Sequence, residues 1–222
     1  MIQRLRAPNP SALTLSGTNT YVVGGAWVID PGPAIDSHLD AIADAVSAPA
    51  GILLTHDHAD HSEAAPALAA RLGVPVVEAA GEERIGPFDV LAVPGHADDH
   101  VVFVAGRDAF TGDAVLGEGS VFVSGRLIEY LDGLRRLRAL GLERIHPGHG
   151  DEVPDPNAKL DEYLAHRLER ERKLLAALEA GASSEDELLD AAWGDAPAAV
   201  RQFAAITMRA HLEKLRAEGR IT

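Results

Sequence analysis

The sequence has no cysteine, which excludes disulfides, thiolate metal sites and a cysteine nucleophile and leaves any metal to nitrogen and oxygen donors. Aromatic side chains are scarce: five Phe, three Tyr and two Trp in 222 residues offer few platforms on which nucleic-acid bases could stack. Positive charge is also short. Lys and Arg number 20 against 34 Asp and Glu, a formal net charge of −14, so the surface as a whole repels polyanions and anionic membranes. No stretch approaches the roughly 18 uncharged apolar residues of a membrane span, and Met1-Ile-Gln-Arg-Leu-Arg6 lacks the apolar run of a secretory signal. A soluble, cytoplasmic protein without a membrane partner is expected.

What is present is ordinary for a chain with a substantial buried core, at 46% hydrophobic and 24% charged residues. The first half reads as strands between Gly and Pro turns. Thr20 to Val23 and Ala26 to Ile29 flank Gly24-Gly25, a hairpin signal, and Asp30-Pro-Gly32 ends the pair. Residues 37–47 have helical apolar spacing behind a Ser cap, and Gly51 to Thr55 suits a buried strand. Ser62 to Leu72 reads as one helix, then strands over 74–77, 88–93, 101–104 and up to Gly112, a helix over 128–140 and a short strand over 143–146. Strands and helices alternating in this way argue for mixed sheets covered by helices. After Val153-Pro-Asp-Pro156 the pattern becomes three helices, the first expected to pack through Leu160, Leu164, Leu168, Leu174 and Leu175. A main domain over 1–156 and a small helical appendage over 157–222, of winged-helix type with a truncated wing, are expected.

Thr55-His-Asp-His-Ala-Asp-His61 places three imidazoles and two carboxylates within seven residues directly after an apolar strand. A structural loop has no reason to carry that density, whereas a divalent metal does, because neutral imidazole nitrogen and carboxylate oxygen are its donors. His56 and His58 would share one ion, Asp60 and His61 another. Further ligands should come from other strand ends, and His96 in Pro94-Gly-His96, Asp113 after Gly112 and His149 in Pro147-Gly-His-Gly150 are candidates beside glycines that let backbone approach closely. His100 and His146 flank these loops and would either steady a ligand from behind or make plain hydrogen bonds. His38, His166 and His211 lie on helices without partners in the sequence and are expected at solvated or helix-end positions.

The string T-H-D-H-A-D-H, followed in order by Pro-Gly-His, Gly-Asp and Pro-Gly-His-Gly, resembles the signature of the metallo-β-lactamase superfamily. Gly17-Thr-Asn-Thr-Tyr-Val-Val-Gly24, Pro94-Gly-His-Ala-Asp-Asp-His100, Gly112 to Gly119 and Tyr163-Leu-Ala-His-Arg167 look, more narrowly, like the β-lactamase-like protein 2 group. The resemblance covers nearly the whole chain. It implies an αββα sandwich with the site at one edge of the two sheets, with His56, His58 and His96 on a first metal, Asp60, His61 and His149 on a second, and Asp113 bridging them. Two zinc ions are expected, with iron or manganese accepting the same donors.

The expected reaction is hydrolysis by a hydroxide held between the metals and oriented by Asp60, with the metals taking up developing charge. For substrate, the group resemblance implies single-stranded RNA cut as an endonuclease. The neighbouring glyoxalase II chemistry implies a thioester, and a metal-dependent binding or scaffold module is a third reading. Structural zinc sites saturate four protein ligands per ion, and the ligand count here leaves room for solvent, which favours catalysis. Oligomeric state is not legible.

Overall fold

The computed structural model of the chain describes residues 1–221 and contains two five-stranded sheets. The first has the order β1 (Ile2–Arg6), β2 (Asn19–Val23), β3 (Trp27–Ile29), β4 (Gly51–Leu53) and β5 (Val76–Val77). The second runs β10 (Arg144–Pro147), β9 (Asp108–Gly112), β8 (Val101–Ala105), β7 (Phe88–Ala92) and β6 (Arg84–Ile85). Both are mixed: β3–β4, β4–β5 and β9–β10 pair parallel and the rest antiparallel.

The layers follow from the two-residue period of strand side chains. Val22 pairs with Val28 and Val28 with Ile52, so these three share one face of the first sheet. There they pack with Ile42 of α1 (Asp36–Ala45) and with Ala65 and Leu68 of α3 (Ala65–Leu72). One residue along, Tyr21, Ile29 and Leu53 share the opposite face and meet Phe88, Phe103 and Phe110 of the second sheet. Val102, Val104 and Ala109 look away from that interface toward Tyr130, Leu131 and Leu134 of α4 (Leu127–Ala139), joined by Leu160 and Tyr163 of α5 (Pro156–Glu179). Helix, sheet, sheet and helix are thereby stacked, as expected from the sequence.

Several boundaries differ from the expected ones. The single helix over 62–72 is instead a short α2 (Ala59–Ser62) and then α3, which carries Pro66 in its first turn, where a missing N–H costs nothing. Strand β1 escapes the sequence pattern because its charged Arg4 and Arg6 turn to the surface, where both pair with Asp151. Strand β6, two residues long, has no period to detect.

Helix α5 starts on Asp155, whose carboxylate accepts from the Ala158 amide at 3.0 Å. Helix α6 (Glu185–Trp193) opens with a complete capping box between Ser184 and Glu187. A turn of 3₁₀ helix (Ala198–Val200) leads into α7 (Arg201–Ala217). The far half of α5 packs through Leu174 against Leu188, Leu189, Trp193, Met208 and Leu212, a core separate from that of the sheets. The leucine stripe expected on α5 is interrupted: Leu160 and Leu174 are buried, but Leu168 is 55% exposed, and Arg167, Arg170 and Glu171 take the inner positions between them. Among the described residues the tail beyond 157 contains no strand, and no helix is long and apolar enough to cross a membrane.

Candidate metal centre

Four strand ends deliver the sequence-expected residues to one edge of the sandwich. His56 and His58 follow β4, Asp60 and His61 lie on α2, His96 on the β7–β8 connection, Asp113 just past β9 and His149 just past β10. All seven come together. Their donor atoms fall into three mutually close groups: His56, His58 and His96; His56, His61 and Asp113; and Asp60, His61 and His149. His96 Nε2 is 3.0 Å from His58 Nδ1, and His61 Nε2 is 3.3 Å from His149 Nε2. Asp60 Oδ2 lies 3.2 Å from His149 Nε2 and 3.6 Å from His61 Nε2. Asp113 reaches both sides, Oδ1 at 3.4 Å from His61 Nε2 and Oδ2 at 3.5 Å from His96 Nε2.

The far sides of the rings explain why so many nitrogens converge. His56 Nδ1 donates to Thr55 Oγ1 at 3.0 Å, His61 Nδ1 to Asp30 Oδ2 at 2.9 Å, and His149 and His96 turn Nδ1 toward the Gly17 and Phe122 carbonyls at 3.4 Å. A proton held on Nδ1 leaves Nε2 with a free lone pair facing the centre. His58 is the exception and presents Nδ1.

Asp30 is the residue the sequence reading passed over as part of a turn. It is buried, and its carboxylate accepts from the Thr55 amide and hydroxyl, both at 2.7 Å, as well as from His61. Its φ of 51° is unusual for a non-glycine residue, strain that the hydrogen bonds offset. The only sequence signal was a carboxylate closing a buried strand. Gly148 serves the same packing by having no side chain: a Cβ there would stand 2.6 Å from His61 Cε1 and 2.7 Å from Asp113 Oδ1.

The two flanking histidines divide. His100 Nε2 accepts from the Asp113 amide at 3.1 Å and its ring stacks on His56 with centroids 4.9 Å apart, so it steadies both. Burial pushes its pKa down to about 3, consistent with a neutral acceptor. His146 instead bonds Asp108 at 2.8 Å and stacks on Phe110, touching none of the seven. Of the histidines expected at solvated or helix-end positions, His38 lies in the first turn of α1 but is buried, and His211 lies buried within α7. His38 is buried and donates to Thr20 Oγ1 at 2.8 Å, while the Thr20 hydroxyl donates to the Asp30 carbonyl, so this histidine braces the Asp30 turn. His211 is wholly buried on the inner face of α7.

Electrostatics favour cations in the centre. Burial, reinforced by the neighbouring imidazoles, drives His56 far below its ordinary pKa, and burial holds His96 down at about 4. Both rings are neutral donors near pH 7. Burial opposes ionisation of Asp113, but His61, His149 and His96 around it outweigh burial and keep it an anion. His61 is pulled in two directions: burial disfavours its charge, while Asp113 and Asp30 on either side raise its pKa. His56 Nε2 and Asp113 Oδ1 are buried with no hydrogen-bond partner. Orphaned donors of this kind need an explanation, and cations bound among them would satisfy every one.

The centre forms the floor of a cavity of about 540 Å³. Leu13, Leu15, Leu116, Val121 and Phe122 line its near wall, and Trp193, Val200, Phe203 and Ala204 of the helical tail line the far one. Phe122 bridges floor and wall, tilted against His96 at 4.6 Å and stacked on Phe203 at 5.0 Å.

A sandwich of two mixed sheets carrying a His/Asp centre at its edge defines a class. The metallo-beta-lactamase superfamily model matches residues 13–93, and the chain belongs to that superfamily of metal-dependent hydrolases. The chain is 30% identical over 251 residues to the beta-lactamase-like protein 2 homolog of Caenorhabditis elegans, an alignment that spans 98% of this chain and 85% of the relative. A protein of Aspergillus aculeatus named as an atrochrysone carboxyl ACP thioesterase is 34% identical over 202 residues, covering 80% of this chain and 64% of that one. A metallo-beta-lactamase family protein from Thermus thermophilus, whose crystal structure is known, superposes with a TM-score of 0.75 at 24% identity, covering 98% and 94% of the two chains.

Proposed function

We propose that the chain hydrolyses a thioester or ester whose acyl group is largely apolar, using two divalent cations. His56, His58 and His96 would hold one ion, Asp60, His61 and His149 the other, and Asp113 both. Zinc suits this all-nitrogen-and-oxygen set, and iron or manganese would accept it. The cations, when bound, supply Lewis acidity and lower the pKa of water. The chain's own contribution is positional. Asp60, about one-third exposed to the cavity and kept ionised against burial by its hydrogen bond to His149 and by His61, would orient the attacking water and take a hydrogen bond from it. Asp30, Thr55 and His100 hold the ligands in register, and the apolar walls exclude bulk water from the scissile carbonyl.

The observation that carries this reading is the cavity wall. Leucine, valine, phenylalanine and tryptophan line the cavity above the centre, a space of a size and character suited to a small acyl chain. The thioesterase name of the Aspergillus relative supports the same bond type. Single-stranded RNA, the expectation drawn from the group resemblance, would need a basic track and stacking aromatics along an open groove. The net charge of −14 argues against it. The test is turnover by the metal-loaded full chain of an apolar aryl thioester, a chromogenic phosphodiester and a labelled single-stranded RNA. Thioester hydrolysis with little action on the others is expected, and RNA cleavage as the dominant reaction would overturn the reading. Full metal occupancy with no turnover of any would favour the binding-module alternative.

We also propose domains of 1–156 and 157–222. The second core, formed by α5, α6 and α7, supports the division. The winged-helix likeness of the tail rests on its three helices alone, without a wing.

A further inference from the structure

On its tail side the cavity meets a cation that the hydrolytic chemistry does not use. Arg167 of α5 lines the cavity and is only 2% exposed. Its Nη2 donates to the Val121 carbonyl and, at 3.3 Å, to Ser120 Oγ, and its guanidinium lies 5.7 Å from the centre of the Tyr130 ring. Nε has no partner at all. Among the described residues no carboxylate pairs with it, which sets it apart from the other buried charges of α5. Arg170 is held by Asp195 at 2.6 and 3.0 Å, and Glu171 by Lys214 at 2.7 Å and by Arg220. A guanidinium taken out of water without a counter-charge is costly, and neutral acceptors offset only part of that cost.

The surroundings leave the charge uncancelled. Burial, and then the nearby arginines, hold His166 down at about 4 and His211 at about 3, so both are neutral at pH 7 and neither adds to nor screens the charge. Asp195 is spent on Arg170. Glu118, the other acid on the cavity wall, is exposed and makes no bond to Arg167. Arg167 thus brings a positive charge without a carboxylate partner to a cavity whose walls are mostly apolar. Its position relative to the centre is fixed by the chain itself, because Val121 accepts from Arg167 while the next carbonyl, Phe122, faces His96 Nδ1. Two consecutive residues of one segment therefore link the cation to a candidate ligand of the centre.

We propose that Arg167 binds a carboxylate on the acyl group of the substrate, making the preferred substrate a thioester or ester whose acyl chain carries a free acid. This rests on the ester-type reading above. The planar fork of arginine matches a carboxylate, and a single monoanion suits the apolar walls better than a phosphate dianion.

Two aryl thioesters of equal chain length, one ending in a carboxylate and one in its methyl ester, test the assignment on the metal-loaded full chain. The acid should be preferred in kcat/KM by about tenfold or more, as expected for one charge-assisted contact. Arg167→Met should abolish that preference through KM for the acid, leaving kcat/KM for the methyl ester within about threefold. Arg167→Lys, which keeps the charge but loses the fork, should fall between the two and serves if the Met variant does not fold. Equal use of both thioesters by the unmodified chain, or an equal loss on both in the variants, overturns the proposal. A second readout is independent of turnover: adipate should raise the Tm of the metal-free chain more than adipamide does, and Arg167→Lys should shrink the difference. A larger rise with inorganic phosphate than with adipate would overturn the carboxylate assignment. If neither thioester is hydrolysed but the adipate effect is present and sensitive to Arg167, the ester reading falls while the anion site is supported.

Discussion

Asp60 and Asp30 are both carboxylates within reach of His61, and their surroundings assign them opposite tasks. Asp60 opens to the cavity and touches His149 and His61 from the substrate side. Asp30 is sealed behind the ring, saturated by Thr55 and His61. Replacing Asp60 by Asn keeps the shape but removes the charge that, on the proposed reading, would position the water. It should lower kcat by about 100-fold or more, with metal still present by elemental analysis; unchanged turnover would remove Asp60 from the reaction. Asp30→Asn should act differently. The amide has one acceptor oxygen where the carboxylate has two, so it cannot serve the Thr55 amide together with Thr55 Oγ1 and His61 Nδ1; the support behind His61 weakens, and metal affinity should drop by about 10- to 100-fold in a metal titration while circular dichroism stays unchanged. At this scale, the sequence revealed the seven candidate ligands and hid the residues behind them. The seven stood out because His and Asp are crowded beside glycines. Asp30 and Arg167 were hidden because a turn aspartate and a helix arginine are common, and only burial makes them unusual.

The elements were legible to different degrees for the same kind of reason. Strands such as β3 and β8 carry continuous apolar runs because both of their faces are covered, whereas β1 is an edge strand with arginines turned to the surface. Helix α5 was legible as the first of three helices after Pro156, but its inner face was misjudged, since leucine spacing gives no sign that two arginines lie inward. Helix α7 carries a related feature with a measurable consequence. His211 is fully buried beside Trp193 at 5.6 Å, faces Arg167, Arg170, Lys214 and His166, and neither ring nitrogen has a partner. Burial, reinforced by these cations, lowers its folded pKa to about 3 from an unfolded value of 6.5. The unfolded chain therefore binds a proton that the folded chain refuses, and stability attributable to this residue is lost as pH falls below 6.5 and continues to fall toward 3. At pH 5 the loss is about 2 kcal/mol. His211→Phe should flatten the fall in Tm between pH 7 and pH 5, followed by calorimetry, and an unchanged slope would show that other groups govern the acid limb.

For the whole molecule, the centre and the tail contribute to stability and to shape in separable ways. Cations bound among the candidate ligands would offset the charge of Asp60 and Asp113 and satisfy the unpaired donors, so chelation should destabilise the chain. Metal at 100 times its Kd is worth about 2.7 kcal/mol, which for this size corresponds to a Tm about 5–10 °C higher than that of the stripped chain. His58→Ala should abolish most of that difference along with turnover. The tail acts on the substrate side. Its Tyr163 hydroxyl accepts from the Leu116 amide at 2.9 Å, and Thr207 Oγ1 accepts from the Val123 amide at 3.0 Å. These two bonds hold the cavity-lining segment between β9 and α4, which has no regular structure to hold itself. None of the seven candidate ligands lies beyond residue 149. The paired substitution Tyr163→Phe with Thr207→Val keeps the packing and deletes both acceptors, so it separates the tail's shaping role from its burial role. Such a chain should keep its metal content, lose about 1–3 kcal/mol for each unsatisfied buried amide, and show a raised KM for the thioester with kcat falling much less. An unaltered KM would mean that the segment keeps its course without the tail, and that the far wall of the cavity does not shape substrate binding.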